Sequence, residues 1–237
     1  MRLDRAIAAR FPDMSRRQAR QLISEHRVLV NDRPVSIASR EIDESDRISI
    51  AGQERPIDIL AITDEFIAVN KPSGIPTQPA RDRMQRSLEE LVGLELKRRR
   101  LPSTVYVVHR LDTGTSGVVV FARTRESAAT LSGLFSSHAI RKTYLARIDG
   151  VIDSSVTIDS PVGGKPARTI VRPRSDGWVE AEPESGRTHQ IRIHLASIGH
   201  PVVGDPRYGG SKASRLMLHA WKLEHEMLGT LEAPLFT

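Results

Sequence analysis

Two short runs of β-branched residues most constrain how this chain can fold. Val105-Tyr106-Val107-Val108 precedes, and Val118-Val119-Val120-Phe121 follows, the stretch His109-Arg110-Leu111-Asp112-Thr113-Gly114-Thr115-Ser116-Gly117. Runs this short, bounded by Gly and Pro signals, read as buried strands. The segment between them is then a loop on a rigid support, opening with a base and a cation and carrying one carboxylate. Such a loop can present a reactive group. Its local chemistry fits a solvated Asp in a Gly-rich turn equally well.

Length and charge narrow the setting. A chain of 237 residues suits one large domain or two unequal ones. The apolar fraction of 39% suffices for a core, but at 4% aromatic residues any base stacking must rest on very few side chains. No apolar run reaches membrane-spanning length, and Met1-Arg2-Leu3-Asp4-Arg5 lacks the apolar stretch of a secretory signal. With no cysteine there is no disulfide or thiolate chemistry, and a reducing cytoplasm is the simple expectation. A formal charge of +6 and a pI near 10.0 point to a polyanionic partner.

Residues 1–50 read as a small separate unit, 51–58 as a linker and 59–237 as a second domain. In the first unit Leu3, Ile7 and Phe11 fall at helical spacing, with Ala6 beside them. Ser15 with Gln18 three residues on forms a capping box, and Ala19, Leu22 and Ile23 make the apolar face of the helix that follows. Arg16, Arg17 and Arg20 lie on its other face, where they suit phosphate contacts or simple solvation. Val28-Leu29-Val30 and Arg47-Ile48-Ser49-Ile50 read as strands.

In the second unit Ile57–Leu60 and Phe66–Asn70 are strand-like. Lys71-Pro72-Ser73-Gly74-Ile75-Pro76 is a stiff loop bearing a cation, and 77–86 is a polar stretch expected to be mobile. Ser87 with Glu90 is a second capping box, and Lys97-Arg98-Arg99-Arg100 ends its helix, as contacts to RNA or as partners of the helix dipole. Thr124 opens another amphipathic helix with Ala128, Leu131, Leu134 and Phe135 on one side. Lys142–Ala146 is a strand that includes Tyr144. Gly163-Gly164-Lys165 lacks the remaining residues of a phosphate loop. Gly186-Arg187-Thr188-His189-Gln190-Ile191-Arg192-Ile193-His194-Leu195 reads as a helix from about Thr188 to Ser197, with Ile191, Leu195 and Ile198 buried. Arg192 flanks that stripe and needs a carboxylate; Asp112 is the natural candidate. His189 and His194 lie five apart, which excludes two ligands on one helix face, so no metal site is expected.

His-Arg-Leu-Asp-x-x-Thr-Ser-Gly resembles the central motif of the RluA-type pseudouridine synthases. Asn70-Lys71-Pro72-Ser73-Gly74, Lys142-Thr143-Tyr144-Leu145-Ala146, Gly186–Arg192 and Leu216-Met217-Leu218-His219-Ala220 match further family motifs in order. The order of features in 1–50 resembles the αL-type RNA-binding domain of a small-subunit ribosomal protein. The resemblance implies an α+β fold, with a mixed, mainly antiparallel central sheet and flanking helices, plus the small N-terminal α/β domain. It implies isomerisation of uridine to pseudouridine in RNA, without redox cofactor or ATP. Asp112 would be the nucleophile, Tyr144 would stack on the base and Arg192 would orient Asp112. His109, Arg110, Lys71, Arg187 and either Leu216 or Leu218, together with Arg16, Arg17 and Arg20, would bind the RNA, with Arg110 filling the space of an extruded base. The region 150–185 is shorter than is usual in the family, which bears on substrate choice. Large-subunit ribosomal RNA is the expected partner and transfer RNA the second choice, bound by a monomer. A non-catalytic RNA-binding or ribosome-assembly factor on the same fold is the competing reading.

Overall fold

The computed structural model describes residues 1–235 except 13, 32, 51–56 and 80–85. Most of the expected linker 51–58, and most of the polar stretch 77–86, therefore lie outside the described residues. The chain divides into an N-terminal and a larger C-terminal compact unit.

The N-terminal unit packs helices α1 (Leu3–Arg10) and α2 (Arg16–Ser24) with strands β1 (Val28–Val30), β2 (Arg33–Pro34) and β3 (Ile48–Ile50). The Ser15 hydroxyl accepts from the Gln18 backbone N–H, and the Gln18 side chain accepts from the Ser15 N–H at 2.8 Å. This reciprocal cap satisfies two helix-end donors and sets where α2 begins. Ala19 and Ile23 then pack on Leu3, Ala6, Ile7 and Val28, all fully buried, while Leu22 is half-buried. The opposite face does more than meet solvent. Asp4, fully buried, accepts from Arg16 at 3.0 Å and Arg20 at 2.9 Å, with Arg2 at 3.3 Å. Burial raises the Asp4 pKa, but Arg20 and Arg16 outweigh that and hold it at about 2. Arg17 is exposed.

The C-terminal unit is built on a ten-stranded sheet among the described residues. In chain order its strands are β4 (Asp58–Ile62), β5 (Phe66–Lys71), β6 (Tyr106–Val107), β7 (Ser116–Ala122), β8 (Arg141–Arg147), β9 (Val156–Asp159), β10 (Arg168–Pro173), β11 (Trp178–Pro183), β12 (Leu218–His225) and β13 (Gly229–Glu232). They run in the order β4-β5-β7-β12-β8-β11-β10-β9, with β6 on β7 and β13 on β12. Every pairing is antiparallel except β7 with β12.

The continuous apolar runs are strands buried on both faces. Ile67, Val69, Val119 and Phe121 pack under helix α3 (Leu88–Arg98) through Leu88, Val92 and Leu96. The alternate residues Ala68, Val118 and Val120 pack under helix α4 (Arg125–Ser136) through Leu131. Burying a side chain such as Phe121 stabilises by roughly 1.5–3 kcal/mol. The Ser87–Glu90 box starts α3 as its sequence predicts. The basic run at its end is partly committed: Glu95 binds Arg98 at 2.7 Å and Arg99 at 2.8 Å, and these two hold its pKa at about 2.

Between residues 150 and 185 the sequence suggests only a Gly-rich turn, yet β9, β10 and β11 lie there. Thr169, Val171, Val179 and Ala181 alternate inward, while Arg172–Glu182 (2.6 Å) and Arg174–Glu180 (3.4 Å) pair on the other face. Val105–Val108, expected as a buried strand, contributes only the two-residue, half-buried β6 at the start of the loop. Helix α5 (Gln190–Ser197) begins two residues later than its spacing suggests, because His189 is left-handed (φ 58°). Ile191 and Leu195 are buried, and Ile198 is half-buried. No described helix is long and apolar enough to cross a membrane.

Candidate active site

The loop between β6 and β7 is held from several sides. Thr77, buried, donates to the Leu111 carbonyl at 3.0 Å and accepts from the Leu111 N–H at 3.1 Å. The Ser73 hydroxyl donates to the Gly114 carbonyl at 2.7 Å, and the Gly74 N–H to the Thr113 carbonyl at 2.7 Å. Lys71, expected to meet RNA, is instead fully buried. Its ammonium donates to the carbonyls of Pro72 (3.0 Å), Ile75 (2.7 Å) and Thr113 (3.1 Å). A cation in a low-dielectric interior makes such bonds strong. It ties the Pro-Ser-Gly loop to the Asp112 loop and is out of reach of a phosphate.

His109 is half-buried on the wall of the neighbouring cavity and is held from behind. Its Nε2 accepts from the Val120 N–H at 2.9 Å, and its ring stacks on Phe135 at 4.1 Å. Burial, with Lys142 nearby, holds its pKa at about 3, so it stays neutral and anchors the start of the loop. Gly117 closes the loop with φ +115°; a Cβ there would stand 2.1 Å from the Ala220 carbonyl oxygen. Only glycine lets β7 lie this close to β12.

Asp112 projects into a cavity of about 600 Å³, with its side chain 28% exposed. That volume lies within the roughly 300–1,000 Å³ typical of small-molecule sites. Arg110, Tyr144, Arg187, Arg192 and Leu218 share the wall. Leu216 does not: it is buried in the core and packs behind Gly114. Of these two leucines, Leu218 is the one that lines the cavity.

The expected ion pair between Arg192 and Asp112 is present, but it is the weaker of two that Arg192 makes. Arg192 spends its two best bonds on Asp205, with Nε at 2.6 Å and Nη2 at 2.8 Å; Asp205 is fully buried. Arg192 meets Asp112 only through Nη1, at 3.4 Å. Burial opposes the charge on both Arg192 and Asp205, but each stabilises the other, so the arginine pKa is raised and that of Asp205 lowered. The guanidinium also lies over the Tyr208 ring at 5.0 Å. His189 completes the network, with Nδ1 2.9 Å from the Tyr208 hydroxyl and Nε2 3.6 Å from Asp112. Burial lowers its pKa, against the pull of Asp112. Neither Asp205 nor Tyr208 is singled out by the sequence reading. Their signal was the Gly204-Asp205-Pro206-Arg207-Tyr208 turn, which carries a carboxylate and a phenol close together.

Tyr144 on β8 lines the cavity. Burial first, and the Asp112 charge second, push its pKa up, so the phenol is neutral. Among the described residues no group of three or more His, Asp or Glu side chains is placed to hold a metal ion. The cavity thus offers one carboxylate flanked by a fixed cation, a neutral phenol and the apolar side chain of Leu218.

A family model described as RNA pseudouridylate synthase matches residues 65–197, the span that holds Asp112, Tyr144 and Arg192. The chain belongs to that family. A second model, the S4 domain, matches residues 1–48. An uncharacterized RNA pseudouridine synthase of Bacillus subtilis is 34% identical over 230 residues, covering 86% of this chain and 76% of its own length. Ribosomal large subunit pseudouridine synthase D of Nitrosomonas europaea is 31% identical, covering 94% of this chain and 76% of its own. The solved human structure titled RNA pseudouridylate synthase domain containing 1 superposes with a TM-score of 0.63 at 26% identity, over 80% of this chain and 86% of that one. The protein is thus an RNA pseudouridine synthase of mixed, mainly antiparallel fold, with an N-terminal S4 RNA-binding domain.

Proposed function

We propose that this synthase converts uridine to pseudouridine at defined positions of structured large-subunit ribosomal RNA in the cytoplasm, acting as a monomer with Asp112 as nucleophile. The observation that carries the reading is Asp112 in a nucleotide-sized cavity, within reach of Arg192 and His189 and facing Tyr144 and Leu218. Relatives named ribosomal large subunit pseudouridine synthase D support the choice of RNA. Residues 1–50 serve as the RNA-binding domain, 51–58 as the linker and 59–237 as the catalytic domain. A tethered binding unit raises the local concentration of RNA at the site.

The reaction is an isomerisation. The bond from uracil N1 to the sugar breaks, the base turns, and a bond from C5 to the same sugar carbon forms. C5 loses a proton and N1 gains one, so nothing else is consumed. A carboxylate can hold the intermediate covalently. Arg192 aims Asp112, while Asp205 fixes Arg192. Tyr144 and Leu218 bound the base. Bonding to the intermediate discharges Asp112, which removes one of the two influences that hold the phenol neutral. The target uridine must leave its stack, at a cost of roughly a few kcal/mol, and Arg110, exposed beside Asp112, fills the space.

Tritium release from 5-labelled uridine in a large-subunit ribosomal RNA transcript tests this. Asp112→Asn should abolish release while RNA binding persists. Release at the wild-type rate by the variant would refute the role of Asp112, and no release by wild-type protein on any ribosomal transcript would refute the substrate.

A further inference from the structure

The cavity wall carries four cations, Arg110, Lys142, Arg187 and Arg192, against one carboxylate, Asp112. Arg192 is neutralised by Asp205. Lys142 is different. It stands two residues before Tyr144 on β8, so both side chains project from the same face of the strand. It is half-buried, and its amine donates only a long bond, 3.4 Å, to the Ser185 carbonyl. Among the described residues no carboxylate lies within ion-pair distance of it, and its neighbours His109 and Tyr144 are neutral.

A partly desolvated ammonium without a counter-ion is costly to keep. Burial accordingly lowers its pKa. The wall's one carboxylate, Asp112, pairs with Arg192 instead, and Ser132, Ser136 and Ser185 are neutral. The cost is recovered when the occupant brings the anion. A uracil ring has only neutral carbonyl oxygens, so within a nucleotide the matching group is the phosphate.

We propose that Lys142 binds a backbone phosphate of the nucleotide held in the cavity, so that the target is gripped at two points, the base beside Tyr144 and the phosphate at Lys142. This rests on the reading that the cavity takes a nucleotide of the RNA. Either the 5′ or the 3′ phosphate has the required chemistry.

Uridine, uridine 5′-monophosphate and uridine 3′-monophosphate distinguish them, titrated against full-length protein and followed by ligand NMR. Wild-type protein should prefer one monophosphate over uridine by about tenfold or more, the size of one charge-assisted contact. Lys142→Gln should lose about that factor, and Lys142→Arg should keep the larger part of it. Loss in both variants, or an unchanged preference in Lys142→Gln, would overturn the proposal, as would a wild type indifferent to both phosphates. Should Lys142→Gln fail to fold, the Lys142 amine can be titrated in the wild type by its ε-carbon shift. Its pKa should rise when the preferred monophosphate binds, and a fixed value would overturn the assignment. Full tritium release by Asp112→Asn would sink the nucleophile but leave the monophosphate preference standing, so the two failures are separable.

Discussion

Asp205 offers the sharpest test of how the site is held. Its carboxylate is fully buried and makes a two-pronged bond to Arg192 at 2.6 and 2.8 Å. It also accepts from the backbone N–H groups of Arg207 at 3.1 Å and Tyr208 at 3.4 Å. Asp205→Asn keeps the shape but removes the charge. Breaking one side of a buried ion pair costs about 3–5 kcal/mol. The retained amide oxygen can still accept, so the lower end, about 3 kcal/mol, is expected. In a domain stable by roughly 5–15 kcal/mol such a loss is large but leaves a folded protein. Arg192, deprived of its anchor, turns toward Asp112 and no longer holds it at the working distance. A shift of this kind costs on the order of 100-fold in rate. Urea unfolding and single-turnover tritium release measure the two effects.

The pH dependence adds a second check. The folded pKa of Asp205 lies below its ordinary 3.8. A depressed carboxylate contributes stability that is present above the unfolded value and is lost as pH falls through the folded one. The stability gap between wild type and Asp205→Asn should therefore be constant from neutral pH down to about 4 and shrink only below that. Replacing both partners, Arg192→Leu with Asp205→Leu, should restore much of the stability, since an apolar pair often substitutes for a buried ion pair. It should not restore activity, because Asp112 then has no guanidinium. Near-wild-type stability and rate in Asp205→Asn would refute the anchoring argument.

Two further changes separate bracing from contact. Lys71→Met removes the ammonium that donates to the Pro72, Ile75 and Thr113 carbonyls. The turnover rate should fall at least tenfold with RNA affinity and its salt dependence unchanged; a salt slope reduced by about one would instead mark Lys71 as a phosphate contact. Gly117→Ala places a methyl 2.1 Å from the Ala220 carbonyl oxygen at a φ of +115°. The parallel β7–β12 pairing cannot accept it, and melting should drop by several degrees, roughly 2–4 °C for each kcal/mol in a domain of this size. An unchanged melting point would contradict the close approach.

What the sequence made legible follows from range. Ser15 with Gln18 and Ser87 with Glu90 act within one helical turn, so their start positions were visible and are where expected. The apolar runs at Phe66–Val69 and Val118–Phe121 marked the central strands, because burial on both faces leaves a continuous hydrophobic signature. The strands β10 and β11 left a weaker mark. In β11 the alternation Val179-Glu180-Ala181-Glu182 is only four residues long, and in β10 Ile170 sits on the outer face between Thr169 and Val171, so the short pattern is easily passed over.

Partnerships across the chain were the harder part, and Arg192 shows why. Both Asp112 and Asp205 stand in segments that could reach it, and spacing cannot choose between them. Solvation does. Asp205 has no exposed surface, so its charge is tolerable only with a cation bonded to it. Asp112, with 28% of its side chain open to the cavity, keeps part of its solvation. The buried acid therefore takes the strong bonds and the open acid the weak one. That division suits the nucleophilic role proposed for Asp112, since a carboxylate held by two short bonds to arginine would be too well stabilised to attack. The same reasoning sorts the two lysines of the site. Lys71, closed in with three carbonyls, is structural, while Lys142, left with one long bond beside the cavity, is kept for an anion that arrives with the RNA.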